Sequence, residues 1–139
     1  MDEFSWFVGL YEGEGSLYVR KGHKTVKGKR YEFVNLALTI KMVDEDVIAR
    51  AAKFLNISYH PTDQKYLREH PERKPLFRVV KVGSVDGGLR ELLNKMYPHL
   101  SKRRQRQIDE KLQKGEAIKK EVRRPPNETQ ECAKITSGS

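Results

Sequence analysis

The chain has 139 residues, enough for one domain with a sizeable core and too few for two ordinary domains. Its net charge of +9 favours a polyanionic partner such as nucleic acid, although an acidic membrane surface or a merely soluble basic protein would fit the same value. A single cysteine, Cys132, excludes an internal disulfide and a cysteine-based zinc site, and favours an intracellular compartment. The sequence has no run of about 18 apolar residues for a membrane span, and residues 1–11 lack the features of a signal peptide.

The first predicted element is an amphipathic helix that begins after Asp2 and ends near Gly13 and Gly15. Its apolar stripe is formed by Phe4, Phe7, Val8 and Tyr11. Next, Leu17 and Val19 alternate with polar residues, as in a strand with one apolar face. Residues 21–30 contain two glycines and five lysines or arginines without apolar periodicity. They are predicted to form a basic hairpin loop.

The clearest alternation of apolar and polar residues runs from Tyr31 to Met42. It predicts a strand with one core face and one solvent-exposed face. Asp44 then precedes a second amphipathic helix, which we expect to end near Asn56. Residues 57–60 and 76–82 predict a second, less regular strand pair, joined by the polar segment 61–75.

Two further helices are predicted in the last third of the chain. The first is traced by Val85, Leu89, Leu92, Leu93 and Met96 and stops around Pro98. Ser101 can cap the second, over residues 101–113. After Gly115 the sequence is charged and then rich in small polar residues, too polar to order itself. We therefore predict one domain over residues 1–114 and a disordered or loosely docked tail over residues 115–139. The order of elements indicates an α+β fold, with an antiparallel sheet and helices on one face.

The end of the first helix combines glycines with acids. Gly9 and Gly13 lie four residues apart, so they leave one side of the helix bare and available for close packing, most simply by another helix. Glu14 follows where the helix macrodipole disfavours a carboxylate, so we expect a positive group to compensate. Glu12 and Glu14 are either solvated acids at a helix terminus or part of an oxygen-ligand site for Mg²⁺ or Ca²⁺.

Residues 7–16, FVGLYEGEGS, resemble the signature motif of LAGLIDADG homing endonucleases. The single motif copy, the chain length and the order αββαββα are similar to the one-motif members, which act as homodimers. The resemblance covers about residues 3–113 and implies a saddle-shaped antiparallel sheet that binds double-stranded DNA, with helices on its other face. It also implies intron or intein homing through staggered double-strand cuts in a long pseudo-palindromic site, by phosphodiester hydrolysis with Mg²⁺, which Ca²⁺ or Mn²⁺ can replace in the site.

The same resemblance assigns the motif helix to a dimer interface and a metal site. The helices of two subunits would pack at Gly9 and Gly13, and the interface would be formed by Phe7, Gly9, Leu10, Glu12 and Gly13. Glu14 would ligate the metal with help from the Gly13 carbonyl.

Two other catalytic positions of the family have candidates in this chain. Asp44 overlays a polar residue that orients water near the metal, although an aspartate before an amphipathic helix is also an ordinary N-cap. Arg103, or one of its neighbours Lys102 and Arg104, corresponds to the basic residue near the scissile phosphate. Each of these three cations fits a solvated basic helix face equally well.

DNA recognition is assigned to the exposed face of the sheet, because a two-stranded antiparallel ribbon fits the major groove of B-DNA. Residues 16–41 carry seven lysines or arginines against one acid, a net +6 that ordinary exposed sheet would not need. The candidate base-reading residues are Ser16, Tyr18, Arg20, Asn35, Ala37, Thr39 and Lys41. The candidate phosphate contacts are Lys24, Lys27, Lys29 and Arg30, and weaker candidates elsewhere are Tyr59, Arg78 and Arg104.

Two other functions remain open from the sequence. One is a catalytically silent module on the same scaffold, such as an intron RNA maturase or a DNA-binding regulator. The other is an unrelated RNA-binding α+β protein in which the motif glycines are coincidental.

Overall fold

The computed structural model describes residues 2–62, 64–85 and 87–122. In chain order, the elements over these residues are α1 (Glu3–Glu14), β1 (Gly15–Val26), β2 (Lys29–Met42), α2 (Glu45–Leu55), β3 (Tyr59–Pro61), α3 (Gln64–Glu69), β4 (Phe77–Ser84), α4 (Gly88–Met96), a 3₁₀ turn (Tyr97–His99) and α5 (Lys102–Val122). The strands form one antiparallel sheet in the order β1-β2-β4-β3. The predicted α+β class is therefore confirmed, and α3 is an addition that the polar sequence of the 61–75 segment did not indicate.

The core lies between one face of the sheet and the helices. Leu36, Leu38 and Ile40 point to this side from the central strand β2 and are fully buried. They pack in one cluster with residues such as Phe7 of α1 and Leu93 of α4. The apolar residues alternate along β2 as the sequence predicted, because one face meets the helices. The predicted exposure of the other face is wrong at Ala37 and Thr39, which are buried as well.

The helix ends follow the local signals in the sequence. The Asp2 carboxylate accepts a hydrogen bond from the Ser5 amide at 2.7 Å and caps α1. Asn56 ends α2 in the left-handed conformation, with φ of 58°. Over the described part of the chain, no helix is both long and apolar enough to cross a membrane.

The basic segment 21–30 is strand rather than loop. β1 and β2 pair without interruption from Gly15 opposite Ile40 to Val26 opposite Lys29. Only Lys27 and Gly28 form the turn, and their φ angles of 53° and 79° are those of a two-residue type I′ hairpin. The loop prediction is wrong because residues 21–30, the distal part of the β1–β2 ribbon, extend past the helices. Neither face of the ribbon is buried there, so no apolar alternation marks these residues.

α5 continues to Val122, through eight residues that the sequence placed in the tail. Gly115 is buried on this helix, where an added Cβ would lie 3.2 Å from Val85 and 3.6 Å from Leu36. Ile118 packs against the core, and Glu116 pairs with Arg90 of α4. This part of α5 therefore packs on the core through one glycine and one isoleucine. Two such residues in a highly charged segment are a weak indication of an ordered helix. Residues 123–139 of the predicted tail lie outside the described residues.

Candidate active site and nucleic-acid interface

Glu14 is the last residue of α1 and leads directly into β1. Its side chain is exposed, and no residue in the described ranges forms a hydrogen bond or ion pair with its carboxylate. The carbonyls at the end of a helix lack intrahelical donors. Here the Tyr11 carbonyl accepts from the Gly15 amide and the Glu12 carbonyl accepts from Arg104. The helix itself supplies no donor for the carbonyl of Gly13.

The donors at this position fit a hard divalent cation in type, although one chain supplies few of them. A carboxylate and a backbone carbonyl are the oxygen ligands that Mg²⁺ and Ca²⁺ prefer. Within residues 2–62, 64–85 and 87–122, no three histidine, cysteine, aspartate or glutamate side chains converge on one point. Glu14 and Gly13 could therefore hold an ion only together with water, phosphate or a second copy of the chain.

One side of α1 is open. Gly9 and Gly13 are exposed, and a Cβ added at either position would meet no atom within 4 Å. Phe7 has no exposed surface and stacks on Phe54 with 4.7 Å between ring centroids, so its predicted place in a dimer interface is wrong. Leu10 is half-buried against the core. The bare side that the glycine spacing indicated is therefore free of side chains from the part of the chain that the structure describes.

Glu12 turns toward α5 of its own chain rather than toward a partner helix. Its carboxylate accepts hydrogen bonds from the Ser101 amide at 2.6 Å and the Ser101 hydroxyl at 2.9 Å. The Ser101 amide is the main reason why the pKa of Glu12 lies below its ordinary value, and Arg104 and Arg103 lower that pKa further. The carboxylate thus pins the start of α5 to the end of α1, which the interface assignment did not foresee.

We predict that Glu12→Gln changes how the free energy of unfolding depends on pH. Because the folded pKa is lowered, the charged form of Glu12 stabilises the fold fully above the ordinary glutamate pKa of about 4.3. That contribution is lost as the pH falls through the lowered folded pKa. Chemical denaturation from pH 3 to 7 should therefore show the variant less stable than the parent at neutral pH, with the difference shrinking in acid. A difference that stays constant over this range would contradict the assignment.

Arg104 is buried, at 7% exposure, and is engaged within the chain. Its Nε donates to the Glu12 carbonyl at 3.0 Å and its Nη1 to the Gly15 carbonyl at 2.6 Å. The predicted DNA contact of Arg104 is therefore wrong. Arg104 instead provides the positive group that the adverse dipole at the end of α1 calls for.

Several exposed polar side chains share the sheet end next to Glu14. Gly15 pairs with Ile40, so Glu14 lies beside the end of β2, where Lys41 pairs with Arg78. Asp44 follows two residues after β2 and precedes α2, but its side chain makes no cap hydrogen bond and is exposed. Asp44 therefore occupies the N-cap position of α2, as the alternative predicted, while its carboxylate forms no hydrogen bond with the helix.

The two exposed candidate cations, Lys102 and Arg103, begin α5, which the Glu12 contacts attach to the end of α1. The guanidinium of Arg103 lies 3.9 Å from the Glu12 carboxylate. Charge of both signs is therefore present where α5 meets the end of α1.

The sheet face opposite the core carries most of the predicted DNA contacts. The alternation along the paired strands places Ser16, Tyr18, Arg20, Lys24, Lys29, Asn35, Lys41 and Arg78 on it, with Asn35 half-buried and the others exposed. Lys27 lies in the turn between β1 and β2, and Arg30 points to the opposite side of these two strands. The face is therefore continuous from the hairpin tip to the Glu14 end.

Besides Arg104, Lys27 and Arg30, three further predicted contacts do not lie exposed on this face. Ala37 and Thr39 have the expected orientation but are buried. Longer neighbours, such as Tyr18 and Val82, flank Ala37. The Thr39 hydroxyl donates a hydrogen bond to the Val79 carbonyl at 3.2 Å. Tyr59 pairs with the core residue Val79 and donates its hydroxyl to Glu45 of α2 at 2.8 Å, so it lies on the helix side.

The sequence prediction missed several residues of this face. They are Tyr31, Phe33, Val80, Val82 and Ser84. The three β4 residues follow Arg78 at intervals of two, so the strand period could have placed them once the orientation of Arg78 was known.

The comparison with solved structures identifies the fold. The sequence matches no protein-family model and no curated protein. The LAGLIDADG homing endonuclease I-GzeII, solved in complex with DNA target, is similar with a TM-score of 0.60 and 15% identity, over 97% of this chain and 43% of that one.

Two further solved structures are similar at lower scores. The archaeal intron-encoded homing endonuclease I-Vdi141I, complexed with DNA, has a TM-score of 0.49 and 15% identity, over 71% of this chain and 58% of that chain. The homing endonuclease I-TnaI has a TM-score of 0.44 and 21% identity, over 76% of this chain and 65% of that chain. This chain spans less than two thirds of the length of each of the three. The four-stranded antiparallel sheet with its helices on one side, together with the I-GzeII match, shows that the chain has the LAGLIDADG homing endonuclease fold.

Proposed function

We propose that this chain is a site-specific DNA endonuclease that acts as a homodimer and depends on a divalent cation. The observation that carries the proposal is Glu14, a carboxylate without a partner among the described residues, at the end of a helix whose glycine side is open. The match to I-GzeII, which was solved with DNA target, supports DNA as the substrate. Such an activity would suit intron or intein homing.

Two copies related by a twofold axis would pack the Gly9 and Gly13 sides of α1 together. Each copy would then bring one Glu14 to the axis, which doubles the oxygen donors that a single chain offers. Two identical sheets would read two half-sites, so the target would be pseudo-palindromic and the two strands would be cut with a stagger.

The residues around Glu14 have separate roles in phosphodiester hydrolysis. When bound by Glu14 and the Gly13 carbonyl, Mg²⁺, or Mn²⁺ in its place, would supply Lewis-acid chemistry and a more acidic water. The Asp44 carboxylate can accept a hydrogen bond from the attacking water and orient it toward the phosphorus. Lys102 and Arg103 can offset the negative charge that develops on the phosphate oxygens.

The ribbon formed by β1 and β2 would bind the major groove. Tyr18, Arg20 and Asn35 can contact base edges, while Lys27 and Arg30 at the tip are placed for phosphates on either side. The ribbon is exposed on both faces, so its shape allows entry into a groove about 12 Å wide.

The double variant Lys24→Gln with Lys29→Gln is expected to weaken DNA binding severalfold. If both lysines bind phosphates, the slope of log K against log salt should fall by roughly 0.9 for each lysine removed. The matched control is Lys53→Gln with Lys95→Gln, which removes the same charge from exposed positions of α2 and α4. Fluorescence anisotropy from 50 to 300 mM salt measures both slopes, and equal slopes in the two variants would contradict the placement of DNA on the ribbon.

A selection followed by cleavage tests the proposal as a whole. Duplexes that bind the full chain in Ca²⁺ are enriched from a randomised library and then incubated with the protein and Mg²⁺. Staggered double-strand cuts that disappear with EDTA are expected. Absence of cleavage on every enriched duplex, with tighter binding to structured intron RNA, would overturn the proposal in favour of a maturase.

A further inference from the structure

The start of α5 and the end of α1 are joined by a compact set of hydrogen bonds around Arg104. We propose that Arg104 is a positioning residue that fixes the Glu14 carboxylate by holding the backbone on both sides of it. The inference rests on the proposed function, because it takes Glu14 to be the metal-binding carboxylate. Arg104 would act through Glu14 and would touch neither metal nor DNA.

The geometry of the guanidinium gives the reason. Nε donates to the carbonyl of Glu12 at 3.0 Å, and Nη1 donates to the carbonyl of Gly15 at 2.6 Å. These two acceptors bracket Gly13 and Glu14, the two residues whose oxygens would face the ion. Because the guanidinium is planar and rigid, it fixes the two carbonyls relative to each other in a way that a lysine with one nitrogen would not.

Arg104 is itself held in place by its surroundings. Its Nη1 also donates to the Gln107 side chain at 3.1 Å, and its amide donates to the Ser101 hydroxyl at 3.3 Å. The Tyr11 ring lies 5.4 Å from the guanidinium carbon, near enough for a cation–π contact. Burial of the guanidinium strengthens each of these hydrogen bonds relative to an exposed site.

The backbone at the junction is equally constrained. A Cβ at Gly15 would lie 2.2 Å from the Tyr11 ring, so the chain can pass this point only as glycine. The Glu12 carboxylate, bonded to the amide and hydroxyl of Ser101, ties the first turn of α5 to the same unit. The backbone of the first turn of α5 is therefore attached to the segment around Glu14, and Arg104 lies at the centre of these contacts.

Arg104 also supplies a permanent positive charge at the negative end of α1. That charge offsets the macrodipole, which would otherwise disfavour the carboxylate of Glu14. A merely structural arginine would stabilise the fold without altering how much metal Glu14 needs. A positioning arginine would change the metal requirement even in a variant that remains folded.

The test compares Arg104→Lys and Arg104→Met with Arg106→Met, an exposed position on the same helix. Hydrogen exchange of the amides of residues 12–16 is measured on the full chain without metal or DNA. Single-turnover cleavage of the selected duplexes is then titrated with Mg²⁺, and duplex affinity is measured in Ca²⁺. Arg104→Lys keeps the charge, so it remains informative if Arg104→Met fails to fold.

We expect Arg104→Lys to exchange these amides about tenfold faster than the parent while the core helices keep their protection. Its cleavage rate at moderate Mg²⁺ should fall by roughly 10–100-fold, the usual loss when an outer partner of a metal ligand is removed. A higher Mg²⁺ concentration should restore much of that rate, and the affinity of Arg104→Lys for the duplex should equal that of the parent. Arg106→Met should match the parent in exchange, cleavage and affinity.

Two results would overturn the inference. The first is parental exchange and a parental Mg²⁺ profile in a folded Arg104→Lys. The second is a loss of rate that no Mg²⁺ concentration restores, together with lower thermal stability, which is the signature of a structural role alone. If the parent itself cleaves no duplex, the proposed function fails, and the exchange comparison still decides whether Arg104 orders the segment around Glu14.

Discussion

Glu14→Gln is expected to bind duplex DNA as tightly as the parent and to lose cleavage. The side chain is exposed and makes no hydrogen bond or ion pair with the described residues, so the substitution should leave the fold unchanged. The amide keeps the shape but loses the charge that a hard cation requires. The loss of rate should exceed the roughly 10–100-fold that removal of an outer metal partner costs. Anisotropy in Ca²⁺ and single-turnover cleavage in Mg²⁺ measure the two effects on the same duplexes.

Glu110→Gln is the matched control, because Glu110 is an exposed glutamate on α5 and the substitution changes the charge equally. It should bind and cleave as the parent does. Parental cleavage by Glu14→Gln would remove Glu14 from the metal site and with it the proposed mechanism.

Gly9→Leu is expected to leave the chain folded and to prevent it from forming dimers. Nothing within 4 Å would meet the added Cβ, and leucine is the better helix former by roughly 1 kcal/mol, so a single chain should be at least as stable. Between two copies, the same side chain would occupy the space that a partner helix needs for close approach. Sedimentation equilibrium should show a monomer, and Mg²⁺-dependent double-strand cleavage should be lost.

Gly88→Leu provides the comparison, since Gly88 is also open to an added Cβ but lies on α4. It should dimerise and cut DNA. A Gly9→Leu protein that remains dimeric and active would show that the open side of α1 is not the contact between copies.

The amino-acid pattern predicted those elements whose faces differ in environment. Leu36, Leu38 and Ile40 point to the helices while their neighbours do not, so the period of two is visible in β2. Residues 21–30 lack a pattern that distinguishes strand from loop, because solvent lies on both sides of the ribbon there. The local signal for a hairpin is Gly28, since glycine readily adopts the positive φ that a two-residue turn needs.

The candidate site could be predicted in part as well. The glycine spacing predicted an open side of α1 and placed Glu14 at its exposed end. Arg104 was assigned to DNA because a run of cations does not show which member faces inward. The helical period contained that information, since Arg104 lies four residues before the core residue Ile108 and so on the same side of α5.

Long-range contacts explain the outcome at Glu12 and Tyr59. The partner of Glu12 is Ser101, 89 positions away, and no local pattern announces a bond of that separation. Likewise, the three-residue strand of Tyr59 is too short for alternation to reveal its orientation, which its pairing with β4 decides.

Cleavage of both strands, as proposed, requires two copies of this chain to meet through α1 and place a pair of Glu14 carboxylates over one DNA duplex. Native mass spectrometry of the full chain with a selected duplex in Ca²⁺ tests this requirement most directly, because the mass of the complex counts the chains. We expect two chains on each duplex for the parent and for Glu14→Gln. A single parent chain on a duplex that the protein cuts in both strands would rule out the dimer.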